Sequence, residues 1–214
     1  MDGSGLHILR FTDSLNVWIA GENSHLYQSS DGGLTWTPRG NELLGLVDTT
    51  GKHHAFFKDI EFVTPSIGFV AAHIVPKMEF VDDHSDVFNK GVIFKTENAG
   101  RSWSVLLEKE DQLLKGADFV TENEIWVFLF YRDEVLHTMD GGRTWKNVRG
   151  MPKTANVQFS DSNHGWARIN KGTYIDRPDC RIYYTIDGGK SWKPARMPVL
   201  DVRTLSSRSE PRGR

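Results

Sequence analysis

The 214-residue chain lacks the signals that mark several common classes of protein. Its single cysteine, Cys180, excludes an intramolecular disulfide, so cysteine usage indicates no redox compartment. No run approaches 18 apolar residues and no basic segment precedes an apolar one at the N-terminus, so we expect neither a membrane span nor a signal peptide. With 26 basic and 28 acidic residues, the net charge of −2 provides no attraction for nucleic acid or anionic membranes.

Sustained helical periodicity and phosphate-binding glycine loops are also missing. The Gly-Gly pairs open no helix, and apolar residues alternate in short runs rich in β-branched and aromatic side chains, which predicts an all-β fold. The length suits one domain, predicted at residues 1–205. Residues 206–214 are predicted to be a disordered basic tail, because their composition buries too little apolar surface.

The tryptophans reveal a fourfold internal repeat. Four segments of the form Ser/Thr-x-Asp-x-Gly-x-Thr/Ser-Trp align without gaps, and their tryptophans lie 67, 42 and 47 residues apart. Before each segment, one aromatic residue is followed seven positions later by another, and the repeat contains all seven tryptophans. The segments are Ser29–Trp36, Thr96–Trp103, Thr138–Trp145 and Thr185–Trp192, and the upstream pairs are Phe11 and Trp18, Phe62 and Phe69, Phe119 and Trp126, and Phe159 and Trp166.

Each repeat has the size of one four-stranded propeller blade, with blades predicted at about 6–40, 56–108, 115–150 and 155–197. Asp-Gly-Gly favours a hairpin, because glycine accepts positive φ and the carboxylate accepts backbone N–H groups, while the tryptophan packs between blades. The second segment has Asn and Ala instead of Asp and the first Gly, so we predict its turn to be the weakest. The structural positions are Asp31, Trp36, Asn98, Trp103, Asp140, Trp145, Asp187 and Trp192.

These segments resemble the Asp-box, or bacterial neuraminidase repeat, of sialidases, some endoglucanase-type propellers and sortilin-like receptors. The longer unit, Phe159–Trp166 followed by Tyr184–Trp192, is more similar to the photosystem II stability and assembly factor family, over about residues 6–197. That resemblance implies a non-catalytic propeller without cofactors that binds a protein partner; in that family, the partners are photosystem II reaction-centre subunits. Because one fold hosts many functions, we expect a generic assembly or adaptor role.

The lengths of the connections predict which face binds the partner. Successive antiparallel strands alternate in direction, so the Asp-boxes and the first-to-second strand turns lie on one face, here the box face. All length variation falls on the opposite, long-loop face. Variable loops on a rigid scaffold usually carry function, so we predict binding there. The segments concerned are 39–54, 74–90, 108–115 and 169–178.

Neither a catalytic nor a metal site is predicted. The stretch Asp82–Asp86 holds carboxylates and a histidine, but it lacks the glycine and glutamate positions of a calcium loop and fits a solvated acidic loop better. His53 and His54 are adjacent and point to opposite sides of a strand, which disfavours joint ligation of one ion. The negative charge of Asp179 disfavours deprotonation of the neighbouring Cys180 thiol, so we do not expect a reactive thiolate there.

The alternative function is a sialidase-like glycoside hydrolase or a glycan-binding propeller. Such chemistry needs an arginine cluster, a Tyr/Glu pair and an acid/base carboxylate. The candidate ligand contacts are Arg10, Arg132 and Arg168, with Tyr131 next to Arg132. The sialidase Phe/Tyr-Arg-Ile-Pro signature is absent, and arginines that merely solvate a sheet edge are the simpler interpretation. We therefore favour a protein that is not an enzyme.

Closure of the ring is left open by the sequence. Four blades can close alone, form part of a longer propeller, or pair with a second chain to make a larger ring. Residues 199–205 alternate weakly and fit either the first strand of a fifth blade or a strand that completes the first. Of these arrangements, we expect part of a larger ring.

Overall fold

The computed structural model describes residues 5–77, 89–130, 134–148, 156–171 and 179–196, and they form four consecutive four-stranded antiparallel sheets. The all-β propeller-blade architecture is thereby confirmed. Blade 1 contains β1 (Leu6–Phe11), β2 (Val17–Gly21), β3 (Leu26–Ser29) and β4 (Thr37–Pro38). Blade 2 contains β5 (His53–Phe62), β6 (Gly68–Pro76), β7 (Lys90–Thr96) and β8 (Ser104–Glu110). Blade 3 contains β9 (Leu114–Phe119), β10 (Ile125–Leu129), β11 (Val135–Thr138) and β12 (Lys146–Val148). Blade 4 contains β13 (Asn156–Phe159), β14 (Gly165–Lys171), β15 (Asp179–Thr185) and β16 (Lys193–Pro194).

The first strands of the blades lie side by side. Strand β1 is next to β5, β5 is next to β9, and β9 is next to β13, so each blade contributes one inner strand. Between the described parts of β1 and β13 there is no contact of comparable extent. The buried apolar side chains fall into three clusters, one at each junction between consecutive blades. The hydrophobic core therefore consists of the interfaces between blades.

A repeated aromatic contact joins each blade to the next. The second-strand aromatic, here called the knob, packs on the first-strand phenylalanine and the box tryptophan of the following blade, here called the socket. Trp18 lies 5.7 Å from Phe62 and 5.8 Å from Trp103, measured between ring centroids. Phe69 stacks on Phe119 at 4.8 Å in the next junction. The third junction repeats the arrangement, with Trp126 stacked on Phe159 at 4.6 Å and Trp192 against the same phenylalanine.

One short helix, α1 (Gly40–Leu44), interrupts the first long connection. It fully buries the side chain of Leu43 in the cluster between blades 1 and 2. A single turn is too short to display the 3.6-residue periodicity that predicts helices, so no sequence pattern predicts α1. Within the described ranges, no helix has the length and apolar character needed to cross a membrane.

Candidate functional site

Each of the three boxes that contain aspartate has the same pattern of hydrogen bonds. In the third, the Thr138 hydroxyl donates to Asp140 at 2.7 Å, and the backbone N–H of Thr144 donates to the same carboxylate at 2.9 Å. Hydrogen bonds from the hydroxyl and backbone of the box Thr or Ser, and from the hydroxyl that opens the box, lower the pKa of each carboxyl to about 2. These carboxylates are fixed acceptors that stay ionised at neutral pH, so they are unsuited to general acid catalysis. They are Asp31, Asp140 and Asp187.

The second box keeps the network with an amide in place of the carboxylate. Asn98 Oδ1 accepts the backbone N–H of Ser102 at 2.9 Å, while Asn98 Nδ2 donates to the Ser102 hydroxyl at 2.8 Å. The direction of the side-chain bond is thus reversed relative to the other boxes. Ala99 adopts φ 59°, a left-handed conformation that costs a residue with a Cβ about 1 kcal/mol. Neutral bonds and this conformation both support the prediction that this turn is the weakest.

Replacing Ala99 with glycine is expected to stabilise the protein by about 0.5 kcal/mol, because relief of the left-handed strain exceeds the added freedom of the unfolded chain. Denaturant unfolding measures the change. The reciprocal control is Gly32→Ala at the same position of the first box, where φ is +75° and the nearest atoms lie 3.8 Å or more from an added Cβ. That variant should lose a similar amount, and a destabilised Ala99→Gly protein would contradict the strain argument.

The boxes and the first-to-second strand turns lie on one face, as the alternation of strand direction predicted. In each blade, a backbone N–H within the box donates to a carbonyl of the five-residue turn at 2.8 to 2.9 Å. The bonds run from Gly32 to Leu15, Ala99 to Ser66, Gly141 to Asn123 and Gly188 to Asn163. This bond recurs in all four blades, so it is a structural feature of the scaffold.

The box face also exposes apolar side chains that sequence reasoning missed. Leu34, Met139 and Ile186 occupy the variable positions inside three boxes, and all three are exposed. Met139 lines a cleft of about 510 Å³ between blades 3 and 4, together with Trp126 and Lys190. In the sequence, these side chains could have been recognised only because they are apolar residues at box positions where the repeat requires no particular residue.

One wall of this cleft is formed by a histidine. The ring of His137 stacks on Trp126 at a centroid distance of 3.6 Å, and its Nε2 lies 3.2 Å from a carboxylate oxygen of Glu124. Burial lowers the pKa of His137, although the hydrogen bond and the charge of Glu124 act in the opposite direction. The imidazole is therefore mainly neutral at pH 7 and extends the aromatic surface of the wall.

Charged side chains on the inner strands make two contacts between neighbouring blades, one between blades 1 and 2 and one between blades 3 and 4. The Arg10 guanidinium lies 3.2 Å from both Asp59 Oδ1 and Glu61 Oε2, which joins blade 1 to blade 2. Asp118 of blade 3 accepts the backbone N–H of Phe159 in blade 4. Burial raises the pKa of Asp59 and raises that of Asp118 to about 6, and the charges of neighbouring carboxylates add to the latter.

Asp118 is expected to make stability fall as pH rises from about 4 to about 6. Its folded pKa of about 6 exceeds the ordinary 3.8, so the folded state binds more protons than the unfolded state in this window. Asp118→Asn keeps an acceptor for Phe159 and removes the charge. The variant should melt at a higher temperature than the parent at pH 7.5, with a smaller difference at pH 4.5. A variant that melts lower at pH 7.5 would show that burial does not penalise this carboxylate.

The described part of the long-loop face is well ordered by internal bonds. Asp48 accepts N–H bonds from Thr50 and His53; although burial would raise the pKa of this carboxyl, these bonds outweigh it and hold the pKa at about 2. On the neighbouring hairpin, Lys90 Nζ lies 2.7 Å from Glu108. Leu46 and Phe130 are exposed on this side of the molecule. The described part of this face thus combines hydrogen-bonded loops with accessible apolar groups.

The residues proposed from sequence for ligand contact are dispersed or lie outside the described ranges. Arg10 is bound to blade 2 as above, and Arg168 lies on the second strand of blade 4, opposite Ile182. Arg132 with Tyr131, the stretch 82–86 and the tail 206–214 fall outside the described residues. In the part of the chain that is described, no three His, Cys, Asp or Glu side chains form a group able to hold a metal ion.

Comparison with known sequences identifies the box motif. The profile of the BNR/Asp-box repeat matches residues 183–194, the region of the fourth box. This match confirms the resemblance inferred from the aligned segments. No curated protein matches the chain in sequence.

Comparison with solved structures identifies the fold. The structure of YCF48 bound to D1 peptide aligns with 92% of this chain and 54% of its own, with a TM-score of 0.56 and 18% identity. A GH74 xyloglucanase from Xanthomonas campestris aligns with 90% of this chain and 29% of its own, at a TM-score of 0.55 and 14% identity. An ancestral GH74 enzyme aligns with 89% of this chain and 25% of its own, at a TM-score of 0.59 and 14% identity. The chain is thus a run of Asp-box propeller blades that spans about half of the YCF48 chain.

Proposed function

We propose that the chain is a non-catalytic propeller scaffold that binds a peptide segment of a protein partner on its long-loop face, in an assembly-factor or adaptor role. The observation that carries the proposal is the difference between the connections on the two faces. The box face is built from one repeated turn, whereas the opposite face receives every connection of unequal length. Function usually resides in such unequal loops on a rigid scaffold.

The order of the described loops supports this choice. Leu43 anchors the first long connection in the core, and Asp48 binds three groups within it. A partner that docks on loops already ordered loses less conformational entropy than one that must order them. The exposed Leu46 and Phe130 provide apolar contacts, and aromatic side chains are frequent anchors of protein interfaces.

The fold relatives differ in what they bind. The YCF48 structure contains a bound D1 peptide, which is a precedent for peptide binding on this fold. The GH74 relatives are a xyloglucanase and an ancestral enzyme, but this chain covers only 29% and 25% of their lengths. The box carboxylates of this chain are fixed as hydrogen-bond acceptors and stay ionised at neutral pH, which argues against a role as general acid. Peptide binding is therefore favoured over glycoside hydrolysis.

Selection of random peptides displayed on phage against the immobilised 214-residue chain tests the proposal. Affinities of the selected peptides are then measured for Leu46→Glu and Phe130→Glu on the long-loop face, and for the matched controls Leu34→Glu and Ile186→Glu on the box face. We expect at least one long-loop variant to weaken binding at least about tenfold, which corresponds to about 1.4 kcal/mol. The controls should bind as the parent does.

Three outcomes would contradict the proposal: failure to select any peptide, loss of binding only in the box-face controls, or turnover of a fluorogenic sialoside or of xyloglucan. Turnover that disappears in Arg168→Ala would favour the glycosidase alternative directly. The circular dichroism spectra of all variants show whether a lost affinity reflects a lost fold.

A further inference from the structure

The cleft between blades 3 and 4 on the box face contains a buried carboxylate that the repeat does not require. Glu124 lines this cleft and is only 4% exposed. The residues at the same repeat position in the other blades are less buried, and none is acidic: Asn16, Ile67 and His164. The bond that joins box and turn in every blade uses backbone groups alone. The Glu124 side chain is therefore a feature of blade 3 and not of the scaffold.

Glu124 has no cationic partner among the described residues. One of its carboxylate oxygens lies 3.2 Å from Nε2 of His137, whose lowered pKa makes the imidazole mainly neutral at pH 7. Lys190 lines the same cleft and Lys146 lies opposite His137 on the next strand, but neither forms an ion pair with Glu124. Because burial removes hydration, a buried carboxylate is rarely left without a cation. The cleft therefore offers a carboxylate that a bound cation would pair.

The walls of the cleft combine aromatic, apolar and acidic groups. The ring of His137 covers Trp126 and extends its aromatic surface, while exposed Met139 and half-buried Val148 are the apolar groups. Asp187 also lines the cleft, and the bonds of its box hold its pKa at about 2, so it adds a negative charge. The volume of about 510 Å³ lies in the range of small-molecule sites.

These walls favour an organic cation of a particular kind. A guanidinium group is planar, stacks on aromatic rings, pairs with carboxylates and is more weakly hydrated than an ammonium group. It therefore matches a carboxylate beside an aromatic and apolar wall. A metal ion is disfavoured, because the described residues contain no group of three His, Cys, Asp or Glu side chains that could hold one.

We propose that this cleft binds a guanidinium group, from the side chain of a partner's arginine or from free arginine, with Glu124 as its counterion and His137 as its stacking surface. The guanidinium supplies the cation that Glu124 lacks in the chain itself. The site goes beyond peptide binding on the long-loop face and does not depend on it, because the two sites lie on opposite faces.

Titration calorimetry of the 214-residue chain with N-acetyl-arginine amide tests the proposal. We expect saturable binding with a dissociation constant of about 1 mM, as is usual for a ligand of this size. The citrulline analogue has the same shape without the charge and should bind at least about tenfold more weakly. The lysine analogue should also bind more weakly. Free arginine separates the two sources, because tighter binding of the blocked compound indicates a peptide side chain and tighter binding of the free compound indicates the amino acid.

Substitutions on one turn locate the site. Glu124→Gln keeps an acceptor for His137 but removes the charge, so it should weaken binding of the arginine analogue at least about tenfold. Glu122→Gln is the matched control, since Glu122 belongs to the same turn but is exposed and lies outside the cleft. It should bind as the parent does, and so should Phe130→Glu, which separates this test from that of the long-loop face. In nuclear magnetic resonance spectra of the parent, the ring signals of His137 should shift during the titration.

Three results would overturn the proposal. They are the absence of saturable binding up to about 10 mM, which is tenfold above the expected dissociation constant, equal binding of the citrulline or lysine analogue, and a folded Glu124→Gln protein that binds arginine as the parent does. Circular dichroism shows whether each variant is folded. The comparison of ligands uses the parent chain alone, so its result does not depend on the folding of any variant.

Discussion

Replacing Trp126 with alanine is expected to lower the free energy of unfolding by about 4 kcal/mol, in the range for aromatic-to-alanine changes in a core. The ring is almost fully buried and stacks on Phe159 at 4.6 Å and on His137 at 3.6 Å. Its loss empties the junction between blades 3 and 4. Because the core consists of such junctions, blade 4 should then open at lower denaturant concentration than the rest.

Denaturant unfolding followed by circular dichroism measures this loss, and hydrogen exchange locates it in β13 to β16. The matched control is Trp126→Phe, because blade 2 carries Phe69 at the same repeat position. We expect the control to lose about 1.5 kcal/mol, since the smaller ring still fills most of the socket. Equal losses for alanine and phenylalanine would show that the stacked ring does not hold the blades together.

Gly100→Ala is expected to cost about 3 kcal/mol from two additive causes, left-handed strain and overpacking. The residue has φ +79°, and an added Cβ would lie 2.2 Å from Cζ2 of the buried Trp18. That ring is held between Phe62 and Trp103, so it has no space into which to move. The methyl group would therefore separate blades 1 and 2.

The control for Gly100→Ala is Gly32→Ala, which has a similar φ but open surroundings. It should lose only the contribution of the left-handed conformation, about 0.5 kcal/mol. Thermal and denaturant unfolding of the two proteins measure the difference. A Gly100→Ala protein as stable as Gly32→Ala would mean that the box glycine is required only for its φ, with no role in the junction between blades.

The repeat made the fold predictable, because every tryptophan falls at a position that recurs in register. Asp-Gly-Gly predicted the turns, and the alternation of strand direction placed boxes and short turns on one face. The sequence pattern did not predict that each knob packs into the socket of the next blade. The repeat positions of Trp18 and Phe62 recur at fixed spacing in the sequence. Only the arrangement of blades shows that the contact between them crosses from one blade to the next.

Other features depend on distances that no local pattern encodes. Arg10 is separated from Asp59 by 49 positions, and Asp118 from Phe159 by 41, so their contacts arise only when the inner strands come together. Helix α1 forms a single turn whose main role is to bury Leu43. Trp166 and Phe11 are exposed, although their sequence context matches that of their buried equivalents.

Hydrogen–deuterium exchange of the chain with and without a peptide selected on it tests the central claim most directly, namely that the partner binds opposite the Asp-boxes. Protection on binding is predicted at residues 39–52 and 108–113 and around Phe130. The box segments should exchange equally in both states, because their bonds belong to the scaffold. Protection confined to residues 97–103, 139–145 and 186–192, with the long-loop face unchanged, would contradict the account.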